Sequence, residues 1–490
     1  MLFRHLADSP LSWGVALVAL VAFFVALATR GHPPSCPASL PTSSAAQCVA
    51  DPARRVVLIS LDGFRADYVS RILASTPVPG GPTFPAFRYL LSHGARAQAM
   101  LPAFPSKTFP NHYTIVTGLY PAWNGIIANS FVLRNASGAF PFNMQNKDPN
   151  MWLGEPIWLT AQKAGLKART TGWPGSEVAL QSWNPQQTAA PFNYSQSPSE
   201  RVDAVLALLR APSGAPALTT LYLNDVDDWG HATGPDSDAV ESAIATVDTA
   251  LWRLLQGMNA SGLLAGSHIV VTSDHGMAPT CGCGRTIPAT SILPASMSNV
   301  STVQALLAYG AELNGPFVGM PCDGCTLAQA RALAAAMNAA AAAAGYGSVF
   351  TAAAKQDLPA RFAGYGVSSR VWPVMGLPAP GYVVATPPAN GSPPSPPSCA
   401  GTHGWDVRYA AMHATLLAAG PRFAAGAILP PPSAALGVGQ TGSAVLAAGG
   451  GGMAVPNTEV YGILAELLGA PPAPNNGTPG YPRQVLLPRC

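Results

Sequence analysis

RRVVLISLDG, residues 54–63, is an apolar run rich in β-branched residues that stops at an aspartate and a glycine. APALTTLYLND (215–225) and SHIVVTSDHG (267–276) repeat the form, each a short apolar run closed by acidic or histidine residues. A strand with one wet face alternates apolar and polar residues. These runs do not, so they predict strands covered on both faces, as in a parallel sheet between helices. In such sheets functional side chains gather beyond the carboxyl ends of the strands. Helical patterns fall between the runs, at Glu200–Leu209 and Asp238–Gly257. The alternation predicts an α/β sandwich with a mostly parallel central sheet.

Residues 280–400 break this rhythm. They hold five of the eight cysteines, an Ala-rich stretch from Thr326 to Gly345 and a Pro/Ser tract from Pro387 to Ser398. The region reads as an insertion beside the core, with Thr326 and Gly345 capping a helix. The α/β pattern resumes at GTHGWDVRYAAMHATLLAAGPRF.

The 490 residues suffice for one large domain or two smaller ones. With 48% hydrophobic and 10% charged residues, a disordered chain is excluded. A net charge of +3, scattered along the chain, gives no footprint for nucleic-acid duplex binding.

Leu11–Thr29 is uncharged and as a helix would reach roughly 28 Å, about one bilayer core. Ala26-Leu27-Ala28 also fits a signal-peptidase site. Residues 1–30 therefore read as a signal anchor or a signal peptide, and either sends the rest through the secretory route. The expected product is extracytoplasmic: a type II single-pass membrane protein, or a secreted one. Residues 31–53 read as a linker, 54–470 as the main domain and 471–490 as a Pro-rich tail. Cys36, Cys48, Cys281, Cys283, Cys322, Cys325, Cys399 and Cys490 are even in number, which suits disulfides. Cys281-x-Cys283 with Cys322-x-x-Cys325 would alternatively form a zinc knuckle. Sequons at Asn135, Asn193, Asn259, Asn299, Asn390 and Asn476 fit a glycosylated ectodomain.

Acidic and histidine residues at the predicted strand ends are Asp62, Asp227, His231, Asp274 and His275, with His403 in a later Gly-flanked loop. Three carboxylates and three imidazoles suit two zinc-like cations. Asp227 and His231 are four apart and share a face on a helical turn. FPSKTFPNHYTIVTG (104–118) places Thr108 where a helix begins. Thr there is a good N-cap. A hydroxyl at a helix N-terminus also faces N–H groups that bind phosphate, and a neighbouring divalent cation makes it a competent nucleophile.

These stretches resemble the ectonucleotide pyrophosphatase/phosphodiesterases of the alkaline phosphatase superfamily. The resemblance rests on LDGFR (61–65), FPSKTFPNHYTIVTGLYP (104–121), NGIIANS (124–130), GEPIW (154–158), WPGSE (173–177), DVDDWGHATGP (225–235), TSDHGM (272–277), DLPARF (357–362) and GTHGWD (401–406). They occur in the family's order and cover about residues 55–425. The resemblance implies a three-layer, alkaline phosphatase-like fold and a phosphodiesterase acting on nucleotides through two Zn2+ ions. It implies Thr108 as the nucleophile, Asp62, Thr108, Asp274 and His275 around one zinc, and Asp227, His231 and His403 around the other. Asn129 and the Phe109 N–H would form an oxyanion hole. Phe109 with Tyr194 or Phe192 would clamp a base, and Trp173 would lie in the substrate site. Lys107 receives no catalytic step. The chain is expected to be of the catalytic-domain-only type.

The chain departs from the family where EEPD reads Asn224-Asp225-Val226-Asp227, ESHG reads Ala122-Trp123-Asn124-Gly125, WPGSD reads WPGSE, and Ala128 replaces the Asp before Asn129. These positions bear on base and leaving-group preference. A choline-type (lyso)phospholipid phosphodiesterase is the alternative enzyme, and a catalytically silent cell-surface binding module the alternative of another class.

Overall fold

The computed structural model describes residues 51, 54–75, 83–135, 138–280, 285–387, 400–433 and 454–489. The Leu11–Thr29 segment and all cysteines except Cys322 and Cys325 lie outside them. No helix among the described residues is long and apolar enough to cross a membrane.

The three apolar runs form the middle of an eight-stranded sheet. Its strands are β1 (Arg55–Leu61), β2 (Gly94–Ala97), β3 (Ala168–Thr171), β4 (Ala189–Ala190), β5 (Leu218–Leu223), β6 (Ser267–Thr272), β7 (Leu416–Ala419) and β8 (Ile428–Leu429). The spatial order is β8-β2-β7-β6-β1-β5-β3-β4. β1 pairs in parallel with both β5 and β6, and only β7 runs against its neighbours. Leu61 lies opposite Leu223, and Ser60 opposite both Tyr222 and Thr272. The three central strands therefore end level, and whatever follows them meets at one edge.

Val56 to Ile59 are all at most 1% exposed, so β1 is covered on both faces. Val56 and Leu58 pack into a cluster with Ile115, Val116, Tyr461 and Leu464. The pleat sends Val57 and Ile59 to the opposite face. Helices Thr108–Thr117, Ile157–Lys163 and Glu459–Leu468 make one outer layer; Pro85–His93, Pro198–Leu209 and Asp238–Ala260 make the other. The last helix opens at Ser237, whose hydroxyl accepts the Val240 N–H, and it buries Val240, Ile244, Val247, Leu251 and Leu255 along one stripe.

The insertion has a core of its own. Val318–Met320, Val374–Pro378 and Phe350–Ala354 form an antiparallel sheet over helix Leu327–Ala343. Thr326 and Gln329 build a capping box at the start of that helix, and Gly345 follows its end at φ 84°. Cys322 and Cys325 are joined by a disulfide, so this pair is not held as the free thiolates of a zinc knuckle. At the base of the insertion, Ala278–Pro279 pairs with Gly401–Thr402. That short ribbon returns the chain beside β6 and delivers His403 to the edge where Asp274 and His275 stand.

Residues 471–489 are folded onto the core despite their polar, Pro-rich composition. Tyr481 is fully buried, and the Asn476 N–H donates to the Gly118 carbonyl.

Candidate active site

Asp62, Asp227 and Asp274 follow β1, β5 and β6 and are 1%, 9% and 0% exposed. Their approach depends on Gly63, which has φ +64°; a Cβ there would come within 2.8 Å of Asp227 Oδ1. Oδ1 of Asp62 and Oδ1 of Asp227 are buried with no hydrogen-bond donor, whereas Asp274 Oδ2 faces ring nitrogens of His275 and His112. An isolated buried carboxylate oxygen is costly. Burial, followed by the charges of Asp274 and Asp227, pushes the Asp62 carboxyl well above its ordinary range. Burial likewise raises Asp227. For Asp274, burial is outweighed by His275 and His112, which hold it low.

The three histidines are oriented alike. His231 Nδ1 lies 2.9 Å from the Gly401 carbonyl, His275 Nδ1 2.9 Å from the Gly276 carbonyl, and His403 Nδ1 2.8 Å from the Ser106 carbonyl. A carbonyl can only accept, so each Nδ1 carries a proton, which leaves each Nε2 as the atom available to a cation. The three Nε2 atoms converge. His231 Nε2 is 3.2 Å from His403 Nε2 and 3.4 Å from Asp227 Oδ2; His275 Nε2 is 2.8 Å from Asp274 Oδ2 and 3.4 Å from Asp62 Oδ1. The two facing Nε2 atoms of His231 and His403 need a proton or a metal cation between them. The ligand atoms of Asp227, His231 and His403 lie within 4.8 Å of one another, as do those of Asp62, Asp227 and His275. The donor set of imidazole nitrogen and carboxylate oxygen suits zinc.

Thr108 is the first residue of helix Thr108–Thr117, and the N-cap is Lys107, which makes no side-chain cap bond. The Thr108 hydroxyl is thus not used as a cap, contrary to the capping expectation; it points to the cluster, 3.4 Å from His275 Nε2. Ser106 locks the approach loop to the His403 loop. Its hydroxyl donates to the Trp405 carbonyl at 2.9 Å and accepts the Gly404 N–H at 3.1 Å. Gly404 is needed there: at φ +128°, a Cβ would sit 2.7 Å from Lys107 Cε.

Asn129 reaches the start of the same helix, but its Oδ1 accepts the Phe109 N–H at 2.9 Å. The two groups expected to bind an oxyanion jointly are bonded to each other. The outward donors are then Asn129 Nδ2 and the Thr108 N–H, which has no intrahelical acceptor. Phe109 is half-buried against Phe142 and Trp152. Tyr194 is 76% exposed and meets Phe192 edge-on at 4.6 Å; Phe192 in turn touches Tyr222 at 5.1 Å. Trp173 is 1% exposed, with Nε1 3.4 Å from the His112 carbonyl, so it supports the helix from within.

A comparison with family models matches residues 56–406 to "Type I phosphodiesterase / nucleotide pyrophosphatase". The chain belongs to this family. It is accordingly a hydrolase of the phosphodiesterase/pyrophosphatase class. The family resemblance is borne out by an uncharacterised pyrophosphatase/phosphodiesterase of Schizosaccharomyces pombe, 32% identical over 429 residues, covering 86% of this chain and 78% of that protein. Ectonucleotide pyrophosphatase/phosphodiesterase family member 1 of Homo sapiens is 30% identical over 461 residues, covering 92% of this chain and 43% of that protein. The chain thus spans under half the length of that mammalian relative. Among solved structures, murine ectonucleotide pyrophosphatase/phosphodiesterase 5, as an inactive threonine-to-alanine variant in complex with AMP, has a TM-score of 0.69 at 27% identity. The match covers 88% of this chain and 99% of that one. The mostly parallel α/β sandwich is this alkaline phosphatase-like fold.

Sequence reasoning missed the residues behind the ligands. The Tyr222 hydroxyl donates to Asp62 Oδ2 at 2.5 Å, and Ser60, His112 and Asn111 are fully buried polar groups around the Thr108 helix. Asn111 Nδ2 donates to the Pro105 and Lys107 carbonyls at 2.9 Å and so shapes the turn before Thr108. His112 carries one available signal: it is four residues after Thr108, on the same helical face.

Proposed function

We propose that this protein is an extracytoplasmic, zinc-dependent phosphodiesterase that cleaves nucleotide pyrophosphate or phosphodiester bonds through a covalent Thr108 intermediate. The observation that carries this reading is the convergence of the Nε2 atoms of His231, His275 and His403 on the buried carboxylates Asp62, Asp227 and Asp274, with the Thr108 hydroxyl 3.4 Å from His275 Nε2. Asp62, Thr108, Asp274 and His275 would hold one zinc ion, and Asp227, His231 and His403 the other. Bound there, two divalent cations supply positive charge that favours an ionised oxygen nucleophile and neutralises phosphate oxygens.

The chain's own groups do the rest. Thr108 Oγ1 attacks phosphorus, and the bond from phosphorus to the leaving oxygen breaks in line. Water then displaces Thr108 and restores its hydroxyl. The Thr108 N–H at the helix start and Asn129 Nδ2 donate to the phosphate oxygens. Phe109 and Tyr194 would stack on a base. The AMP complex of the murine neighbour, and its inactivity as a threonine-to-alanine variant, support a nucleotide substrate and a threonine-dependent reaction. ATP and dinucleoside polyphosphates are the leading substrates.

The apolar Leu11–Thr29 segment, the sequons and the Cys322–Cys325 disulfide support passage through the secretory route. The test is turnover of a nucleotide p-nitrophenyl ester against p-nitrophenylphosphorylcholine by zinc-loaded protein. Preference for the nucleotide ester is expected. Preference for the choline ester would favour the phospholipid-type reading, and hydrolysis of neither would favour a silent binding module.

A further inference from the structure

His112 lies under the first turn of the Thr108 helix and is fully buried. Its ring touches three groups that matter. Nδ1 is 2.9 Å from the Thr108 carbonyl and 3.4 Å from Asp274 Oδ2, and Nε2 is 2.8 Å from Ser60 Oγ. The two neighbours of Nδ1 can only accept, so Nδ1 carries the proton. In the neutral ring Nε2 then accepts the Ser60 hydroxyl, so the acceptors at Nδ1 fix the tautomer and Ser60, on β1, anchors the other side of the ring. The ring plane is held from two sides, edge-on by Trp173 at 5.3 Å and by Tyr222 at 5.1 Å. Tyr222 is the same residue that donates to Asp62.

Thr108 and Asp274 come from segments 166 positions apart (274 less 108) and belong to different elements. One N–H, on His112, lies between the carbonyl of the first and the carboxylate of the second. Resting on the function proposed above, we infer that His112 is a positioning residue: its Nδ1–H, oriented by Ser60, sets the Thr108 hydroxyl and the Asp274 carboxylate in register with each other. It touches no substrate. It acts by aiming the nucleophile and one zinc ligand together, as outer partners of metal ligands do.

The side chains of Asn and Gln separate this role from mere filling of space. Asn places an N–H near the Nδ1 position, whereas Gln places its amide near Nε2. His112→Asn, His112→Gln and Ser60→Ala would be compared with wild type by kcat and KM on the nucleotide p-nitrophenyl ester. Zinc affinity, measured by competition with a chromogenic chelator, and Tm would be read alongside. In His112→Gln, kcat is expected to fall about 10–100-fold with KM nearly unchanged, and one of the two zinc ions to bind about 10–100-fold more weakly. His112→Asn should keep most of both, and Ser60→Ala should fall between. Equal losses in the Asn and Gln variants, tracking Tm alone, would overturn the inference and leave a packing role. A Gln variant equal to wild type in kcat and zinc affinity would also overturn it while leaving the proposed function standing. A wild-type protein that neither turns over the ester nor binds zinc would overturn both.

Discussion

Strand β6 has an Asp–His pair at each end, and the two pairs live in opposite circumstances. At its start, His268 Nε2 lies 3.2 Å from Asp51 Oδ2. Asp51 also receives Arg489 Nη2 at 3.3 Å and the Arg54 N–H at 3.2 Å. Burial raises the Asp51 pKa, but His268 and Arg489 outweigh it and bring the carboxyl down to about 2. At the far end, Asp274 and His275 join Asp62 and Asp227 with no arginine or lysine bonded to any of the three carboxylates among the described residues. Both ends bury aspartate. One end carries its cations in its own sequence, and the other is arranged to take them from solution. Buried Asp–His contact alone therefore does not mark a functional site; several buried carboxylates and imidazoles gathered without an arginine or lysine partner are the stronger signal.

The contrast can be broken most directly at the nucleophile. Thr108→Ala should cut hydrolysis by at least about 10³-fold if the residue forms the covalent bond proposed for it. Tm should move little, since Thr108 caps nothing. Retained turnover in a steady-state assay would end its assignment. Removal of the cations comes next. A chelator should abolish activity and lower Tm, and added zinc should restore both. Zinc at 1,000 times its Kd would stabilise the fold by about 4 kcal/mol. A melting curve indifferent to chelator and to zinc would mean that the far end resembles the near one after all.

A pair of substitutions sharpens the comparison further. Asp51→Asn should destabilise the protein by about 3 kcal/mol in urea unfolding, because it strips a buried charge pair of one member. Asp227→Asn in zinc-free protein should cost nothing or add a little stability, since it relieves a carboxylate raised by burial. Equal losses in both would remove the distinction. The smallest effect concerns acid. The folded Asp51 pKa of about 2 lies below its unfolded value of about 3.9, so its stabilisation is present above about pH 3.9 and is lost as pH falls toward 2. Asp51→Asn should flatten the stability profile in that window.

The parts of the molecule legible in the sequence are those with one dominant physical cause. β1, β5 and β6 are apolar on both faces, and no arrangement except a covered sheet accommodates them. Their level ends follow from parallel register, so the residue pattern by itself groups Asp62, Asp227 and Asp274. Ser197 and Thr326 cap their helices through short-range chemistry that four residues encode. The reversed direction of β7 was not legible, because LLAA reads the same to hydropathy in either direction. Ser60 and Tyr222 sit inside apolar runs, where single polar residues carry no periodic signal, and His112 carries only its spacing of four from Thr108. Trp173 lies in a family motif, yet its environment is set by helix packing that spacing does not encode. The bond between Asn129 and the Phe109 N–H required knowing which way an amide faces.

The closing segment has a practical meaning that composition conceals. The Asn476 side chain accepts the Tyr120 N–H at 3.0 Å, its own N–H donates to the Gly118 carbonyl, and buried Tyr481 donates its hydroxyl to the Pro430 carbonyl. These contacts brace the exit of the helix that begins with Thr108. A protease cut or stop codon near residue 470 would therefore loosen that exit, so the shortest chain able to retain activity extends into the 480s.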